Sequence, residues 1–403
     1  MNILFVHPSG AFGGASKSLF ELYKTLSKES INGSVICPFG NVRAFFFEAG
    51  LDVYQIRGLS QWDNTRYGYY RGFRWLILLR ELFLLPGTWF ALRKILRSSN
   101  FDIVHLNEAT LLPWARIIRR YTRAPIILHV RSLQRGIVND KRTRRFNESL
   151  VRDVDKIIAI DETVRRTLPS RINVKVIHNG ISVNTTKIKD HHEVLRVGIV
   201  GGLLKLKGVY EFIEAARILI NDRKINIEFF IVGENPHSLT GLKGILLKRL
   251  NMAHDVRKDI EAFVRDNELE DKIHLSGFVK NVNEVYEKLD LLCFPSHLDA
   301  AGRPVFEAAF HGVPSIVAVR NPPPDTIVNG ETGICIDHSD STLLANAIEK
   351  LHLDRSELLR LGENARCLAL ANFDINKNAL KVLGIYQNLL DEKSQLLNNN
   401  VDR

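Results

Sequence analysis

Residues 295–314 read PSHLDAAGRPVFEAAFHGVP, and this stretch decides the fold. It follows an apolar run, Leu289–Phe294, that predicts a buried strand. Gly302, Arg303 and Pro304 mark a helix start, because proline is best tolerated in a first helical turn, where its missing N–H costs nothing. Glu307 then stands one turn into that helix, and Gly312 with Pro314 closes it before a further apolar strand, Ser315–Val319. Strand, loop, short helix and strand in this order form a unit of an open parallel sheet. In such sheets the loop and helix start hold the phosphate and ribose of a nucleotide. Asp299 lies in the loop, eight positions before Glu307, so a loop folded back over the helix start would bring both carboxylates to one ligand. Taken alone, Glu307 reads equally as a carboxylate stabilising its helix dipole by ~0.3–1 kcal/mol.

The same residues resemble the E-x7-E signature of retaining family 4 glycosyltransferases, GT-B enzymes that take sugar from a nucleotide sugar. The resemblance implies that Glu307, in the second position, binds the ribose hydroxyls. The first acid would face the donor sugar; here it is Asp299, one methylene shorter than the usual Glu. Loop amides and the helix start at Gly302, Arg303 and Pro304 would lie near the diphosphate.

With 403 residues, 45% hydrophobic and 25% charged, the chain is globular and long enough for two domains with separate cores. Cys37, Cys293, Cys335 and Cys367 form no C-x-x-C pair, and His191-His192 lacks a second pair at zinc spacing, so no structural metal and a reduced compartment are expected. The N-terminus enters a strand without a basic region or cleavage site, which predicts no signal peptide. No uncharged run reaches the ~20 residues of a spanning helix. Residues 1–195 hold 30 Lys and Arg against 16 Asp and Glu, a balance of +14, and the remainder holds 25 against 29, or −4. A basic half suits nucleic acid, an anionic membrane or a phosphorylated substrate. Without an RNP-like pattern, helix-turn-helix or zinc finger, nucleic acid is not expected.

In the first half, strands are predicted at Asn2–His7, Gly33–Cys37, Asp102–Leu106, Pro125–Val130, Lys156–Ile160 and Lys175–Ile177, with helices between several of them. That alternation argues a doubly wound parallel sheet, with ligands at the carboxyl ends of its strands. Gly13 and Gly14 precede a helix over Ser16–Lys28 and would let backbone N–H groups approach an anion; the resemblance puts them beside the donor. His105 and His129 stand at strand ends, and His129 matches the family's His near the donor sugar. VIHNGIS, 176–182, is similar to the family's exit from the first domain. The aromatic and Arg-rich segment Arg66–Arg97 reads either as two helices packed on the sheet or as a membrane-interface segment whose Arg stems snorkel. Arg131–Arg145 could hold an acceptor diphosphate or be a solvated loop.

A polar stretch, Val183–Val194, predicts the linker. Strand Leu195–Val200 then runs into GGLLKLKG and a helix over Val209–Ile220, similar to the family's G-R-L-x-x-x-K-G loop. Lys207 would neutralise diphosphate as a point charge. Gly202 replaces the family's Arg, and whether Lys205 substitutes is open. Strand Ile227–Val232 ends at Gly233, in a turn similar to G-x-G-P that lacks the second glycine. After strand Ile273–Phe278, backbone amides near Phe278 and Val279 would face the nucleobase. The last periodic helix, Asn376–Leu390, carries Leu380, Leu383, Tyr386 and Leu390, and in GT-B proteins such a helix crosses back to the first domain; the tail after Glu392 is expected to fray.

The expectation is thus an α/β GT-B chain with two Rossmann-like domains facing a cleft, 1–188 with 374–403 on the acceptor side and 189–373 on the donor side. It would be a retaining, metal-independent hexosyltransferase without a cofactor, taking a UDP- or GDP-sugar as co-substrate. The acceptor would be a glycan or polyprenyl-linked glycan of a cell-surface polysaccharide, and the protein cytoplasmic and peripheral at an anionic inner membrane face. The alternatives are a catalytically impaired sugar-nucleotide-binding protein and a GT-B epimerase.

Overall fold

In a computed structural model the described residues are 1–66, 68, 70, 75–136, 140–182, 192–235 and 255–401. The chain divides into two compact units, Met1–Ser182 with Phe373–Arg403, and Val183–Asn372. The predicted linker falls mostly on 183–191, outside the described residues, as do His191 and Pro236.

The first unit is built on seven parallel strands: β1 (Asn2–Val6), β2 (Asn32–Pro38), β3 (Asp52–Ile56), β4 (Ile103–Leu106), β5 (Ile126–Val130), β6 (Lys156–Ala159) and β7 (Val174–Val176). Their order is β3-β2-β1-β4-β5-β6-β7. Near-continuous apolar runs produce these central strands because a parallel sheet is buried on both faces. Alternate residues serve opposite layers: Leu4, Val6, Val104, Leu106, Ile126 and Leu128 pack on one side, Ile3, Phe5, Ile103 and Ile127 on the other. Leu19, Leu22, Tyr23 and Leu26 of the helix Gly14–Leu26 are buried in the second layer.

The second unit has six parallel strands: β8 (Leu195–Val200), β9 (Ile227–Val232), β10 (Ile273–Gly277), β11 (Leu291–Phe294), β12 (Ser315–Ala318) and β13 (Gly333–Ile336), in the order β10-β9-β8-β11-β12-β13. In each sheet the chain leaves the starting strand to one side and returns on the other, so β1 with β4, and β8 with β11, form the topological switch points where such sheets hold ligands.

Three local expectations are corrected. Among the described residues of the segment after Arg66, the α-helix is Ile77–Ser98, 22 residues that run through Pro86; residues 67, 69 and 71–74 lie outside the described set. Pro86 is exposed, so the carbonyl it leaves without an N–H partner faces the solvent side of the helix. The C-terminal tail does not fray after Glu392, since the helix Ile375–Val401 continues. Its buried face is Ile375, Ala379, Val382, Leu383, Tyr386 and Leu389 in the first unit's core, whereas Leu380 is exposed.

Candidate functional site

In the second unit, the loops leaving β8 and β11 meet at the switch point. Gly208 has φ +75°, and a Cβ there would lie 1.8 Å from the Pro295 carbonyl oxygen, so only glycine permits this approach. His297 N–H and the Ser296 hydroxyl both donate to the Leu206 carbonyl, at 3.0 and 3.2 Å. The stitched loops carry Lys207 inward from the short turn Lys205–Lys207. Its amine sits 5.2 Å above the Phe294 ring, and burial lowers its pKa from the usual lysine value. Among the described residues no carboxylate pairs with it. Lys205 points elsewhere, its amine 5.7 Å from the Tyr210 ring.

Gly302 is the N-cap of the helix Arg303–Phe310, with Pro304 in its first turn. A Cβ on Gly302 would stand 2.5 Å from the Phe294 ring, so the helix start is drawn onto the end of β11. Glu307 is buried. It accepts from Arg303 Nε at 2.7 Å and from the Tyr286 hydroxyl at 3.0 Å. Burial and the facing Glu307 carboxylate push the Tyr286 phenol well up, so it stays a donor. Asp299 adopts φ +52°, and its Oδ1 accepts from the Arg320 N–H, beyond β12, at 2.8 Å.

Gly202 is exposed, and a Cβ there would meet only the Glu234 carbonyl, at 4.0 Å. There is open space where the family carries Arg. Gly233 is a packing glycine: at φ +152° its Cβ would lie 1.8 Å from the Gly201 carbonyl oxygen. Phe278, 77% exposed, and the half-buried Val279 follow the edge strand β10, two strands from β8.

In the first unit, Gly13 caps the first helix in extended conformation and Gly14 begins it. A Cβ on either would meet nothing within 4 Å. Beside them the ends of β1, β4 and β5 enclose a polar cluster that sequence reading largely missed. Buried Arg131 donates from Nε to Asn107 Oδ1 at 2.9 Å, from Nη2 to His129 Nδ1 at 3.2 Å, and from Nη1 to Asn179 Oδ1. Because arginine only donates, His129 Nδ1 must accept and the ring proton resides on Nε2. That nitrogen is buried without a partner among the described residues. The Asn107 amide, oriented by Arg131, donates to His7 Nδ1 at 2.8 Å, and His7 Nε2 then donates to Ser16 Oγ at 2.9 Å. Burial, with the Arg131 charge adding to it, lowers His7 and His105 to about 3 and His129 well below the histidine range. All three imidazoles are neutral at physiological pH.

His105 has its own partner, the Tyr386 hydroxyl at 2.7 Å. Glu108, whose carboxyl burial pushes up, accepts from Ala109 N–H and Ser132 Oγ at 2.7 and 2.8 Å. Of the basic run Arg131–Arg145, residues 137–139 lie outside the described set. Arg135 pairs with Asp140 at 2.8 Å, and Asp140 caps the helix Lys141–Arg152. The Thr143 N–H is the main reason the Asp140 carboxyl lies low, at about 2.

A family model described as glycosyl transferases group 1 matches residues 185–367, and one described as glycosyltransferase family 4 matches residues 12–185. The chain is similar to the capsular polysaccharide biosynthesis glycosyltransferase CapM of Staphylococcus aureus. The two are 25% identical over 229 residues, 52% of this chain and 55% of that protein. It is also similar to the UDP-Gal:alpha-D-GlcNAc-diphosphoundecaprenol alpha-1,3-galactosyltransferase of Escherichia coli, at 22% identity over 330 residues, covering 75% of this chain and 79% of the other. The chain spans about half the length of CapM and comparable curated relatives. In fold it is similar to Anabaena Alr3699/HepE, solved in complex with UDP and glucose. That match has a TM-score of 0.71 and 17% identity, covering 96% of this chain and 99% of the other.

Proposed function

We propose that this chain, which belongs to the group 1, family 4 glycosyltransferases and has their two-unit GT-B fold, transfers a sugar from a nucleotide-sugar donor to a glycan or lipid-linked glycan acceptor in cell-surface polysaccharide synthesis. One observation carries the donor assignment: the half-buried Lys207 amine at the β8/β11 switch point, among the described residues without a carboxylate partner. A charge partly withdrawn from water gains from a partner, and the diphosphate of a UDP- or GDP-sugar is the partner this reading supplies.

Lys207 and the helix start at Gly302, Arg303 and Pro304 would offset charge growing on the leaving diphosphate, the main electrostatic need of the reaction. Glu307, held in place by Arg303 and Tyr286, would accept the ribose hydroxyls. Backbone groups at Phe278 and Val279 would take the base edge. The open space at Gly13, Gly14 and Gly202 leaves room for a ligand backbone or sugar to approach. The neutral His129, with its proton on Nε2, suits a sugar hydroxyl or carbonyl oxygen as a donor rather than as a base. We assign retention of configuration, with the leaving phosphate assisting deprotonation of the acceptor, so that the paired carboxylates of a retaining glycosidase are not required. Charge balance in this reading comes from Lys207 and backbone amides, with no metal or cofactor assigned. The protein would work peripherally at an anionic membrane face.

A second reading, a sugar-nucleotide-binding protein with impaired catalysis, is favoured by one observation. Asp299 directs an oxygen to the Arg320 N–H instead of reaching as far as a Glu would. Calorimetric titration with UDP, GDP and their sugars, followed by turnover with lipid-linked glycan acceptors, separates the readings. Binding without transfer to any acceptor supports the second, and no nucleotide binding removes both.

A further inference from the structure

The helix Ile77–Ser98 buries Glu81, Thr88, Leu92, Ile95 and Leu96 and leaves a large apolar face to solvent. Leu76, Leu79, Phe83 and Phe90 recur at helical spacing and are 62%, 63%, 73% and 59% exposed. Single exposed leucines need no explanation, but a continuous strip of this length marks an interaction site. Arginines border it: Arg142 lies 4.3 Å over the Trp75 ring and Arg93 5.3 Å over Trp89. No described helix is long and apolar enough to cross a membrane.

One wall of this helix closes a groove of about 840 Å³ at the carboxyl ends of β1, β2 and β3. Its floor is backbone: at Gly40 a Cβ would lie 2.0 Å from the Gly10 carbonyl oxygen, so the loops after β1 and β2 touch directly. Its rim carries Arg57 and Arg80, and Phe83 and Leu84 continue it onto the exposed strip. Arg57 is exposed and, among the described residues, makes no side-chain hydrogen bond or ion pair. Arg80 is largely exposed and shares the Glu81 carboxylate, whose other oxygen is bound by the Gln61 N–H at 2.6 Å. Gln61 also donates to the Pro8 carbonyl at 2.9 Å, which ties the helix to the β1 loop. On the far side of the helix, Leu78, Leu82, Leu85, Trp114 and Ile117 line a smaller apolar cavity of about 170 Å³.

The groove therefore sets guanidinium and apolar side chains side by side, with Leu84 next to Gly58 and so beside Arg57, and Phe83 one turn from Arg80, and it opens onto a face suited to the membrane interface. We propose that it holds the phosphate of a lipid-linked acceptor, a long-chain mono- or diphosphate ester. The phosphate lies against Arg57 and Arg80, the first lipid carbons lie along Phe83 and Leu84, and the Leu76–Phe90 strip lies in the bilayer interface. Charge decides for this occupant over a second protein: an apolar partner surface would have no use for two guanidinium groups beside the strip, whereas a phosphate does. The inference rests on the glycosyltransferase reading and deepens it by naming the acceptor class and its binding residues.

The test is flotation of the full chain with three vesicle types: neutral phosphatidylcholine, phosphatidylcholine with phosphatidylglycerol, and phosphatidylcholine with undecaprenyl phosphate. Inorganic diphosphate serves as the soluble arm. Calorimetry with UDP and GDP runs in parallel to report on the second unit. Undecaprenyl phosphate should retain the protein best. Arg57→Gln with Arg80→Gln should weaken that retention about thirtyfold, the scale of two basic residues at an anionic surface, while Arg57→Lys with Arg80→Lys keeps most of it. Leu79→Ser with Phe83→Ser should abolish retention on every vesicle, and all variants should keep the parent's thermal unfolding profile, which shows that the first unit folds, as well as its nucleotide affinity. Four results overturn the inference: no retention by undecaprenyl phosphate; equal retention by parent and the Gln variant; binding of inorganic diphosphate that leaves vesicle retention unchanged; or a dimer in sedimentation that the Ser variant dissociates. Loss of nucleotide binding by the parent would strike the donor reading alone, because vesicle retention is read independently.

Discussion

Lys207→Met keeps most of the side-chain length and removes the charge. In the free protein the half-buried Lys207 amine sits over the Phe294 ring, and loss of hydration lowers its pKa, so the fold bears a desolvation cost for it. Losing that cost, the variant should melt at the same temperature as the parent or higher. A bound diphosphate reverses the balance. Two unit charges 4 Å apart attract by ~4 kcal/mol at an effective dielectric of about 20. After desolvation of the ligand, a charged hydrogen bond retains ~1.5–3 kcal/mol, so nucleotide affinity should fall about 10- to 150-fold. Turnover should fall by roughly 10²–10³, because charge on the leaving phosphate grows in the transition state. Calorimetry with UDP and GDP reads the first effect, initial rates at saturating donor the second, and thermal unfolding the third. Unchanged nucleotide affinity would refute the assignment. So would a variant that melts well below the parent, since Lys207 would then be a structural residue.

Glu307→Gln should weaken free nucleotide and intact donor alike, by ~1–3 kcal/mol for a charged hydrogen bond left incomplete; equal affinities by calorimetry remove Glu307 from the ribose site. Gly202→Arg places the family's cation in open space at a position free of positive φ, and should tighten nucleotide binding about tenfold, ~1.4 kcal/mol; a weaker Kd means that the space is not beside the diphosphate. The buried imidazoles of His7 and His105 have pKa values of about 3 in the folded protein against 6.5 for the ordinary residue. As pH falls below about 6.5 the unfolded chain therefore takes up protons that the folded chain refuses. Each histidine should then remove stability by up to ~1.4 kcal/mol per pH unit between these limits. Denaturant unfolding at pH 5 and pH 7 should show a smaller pH dependence in His105→Asn than in the parent, and equal dependences would contradict the burial assigned to it.

The second unit was more legible in sequence than the first, and the difference is physical. Around β8 and β11 the chain must turn sharply next to a helix start, and Gly208, Gly302 and Pro304 record those turns in residue types that do little else. Two strands were missed for opposite reasons. β3, DVYQI, is an edge strand whose polar residues face solvent, so it lacks the continuous apolar run of its neighbours. In β13, GICI, the turn signal of the preceding Asn329-Gly330 hid a short strand. The Arg131 cluster was barely legible because each member is a single polar residue at the end of an apolar run: His7 in LFVHP, Asn107 in VHLNE, Arg131 in LHVRS. Only the parallel register, which aligns Val6 with Leu106 and Leu106 with Leu128, brings residues 100 positions apart into one hydrogen-bonded set. Lys207 was legible as a candidate, yet its burial was not, since LLKLKG reads as an exposed turn.

The two halves of the chain also use charge in different ways, which bears on what each can recognise. The first half concentrates a +14 balance in arginines that are mostly on the surface, while its strand-end histidines are kept neutral by burial beside Arg131. Its attraction for anions is therefore long-ranged and screened within a Debye length of ~8 Å at physiological salt. That suits an extended anionic surface, against which many weak contacts add, better than a single tight ligand. The second half is net negative, and its candidate site holds the half-buried Lys207 amine at the meeting of two glycine-shaped loops. Such a charge acts chiefly at contact, where water screens it less than it screens an exposed side chain. Long-range attraction to a surface and short-range discrimination of a phosphate are opposite demands on one cation. An enzyme that met its acceptor at a membrane and its donor in solution would have reason to assign them to different residues, which is the division proposed for Arg57 and Arg80 on one hand and Lys207 on the other.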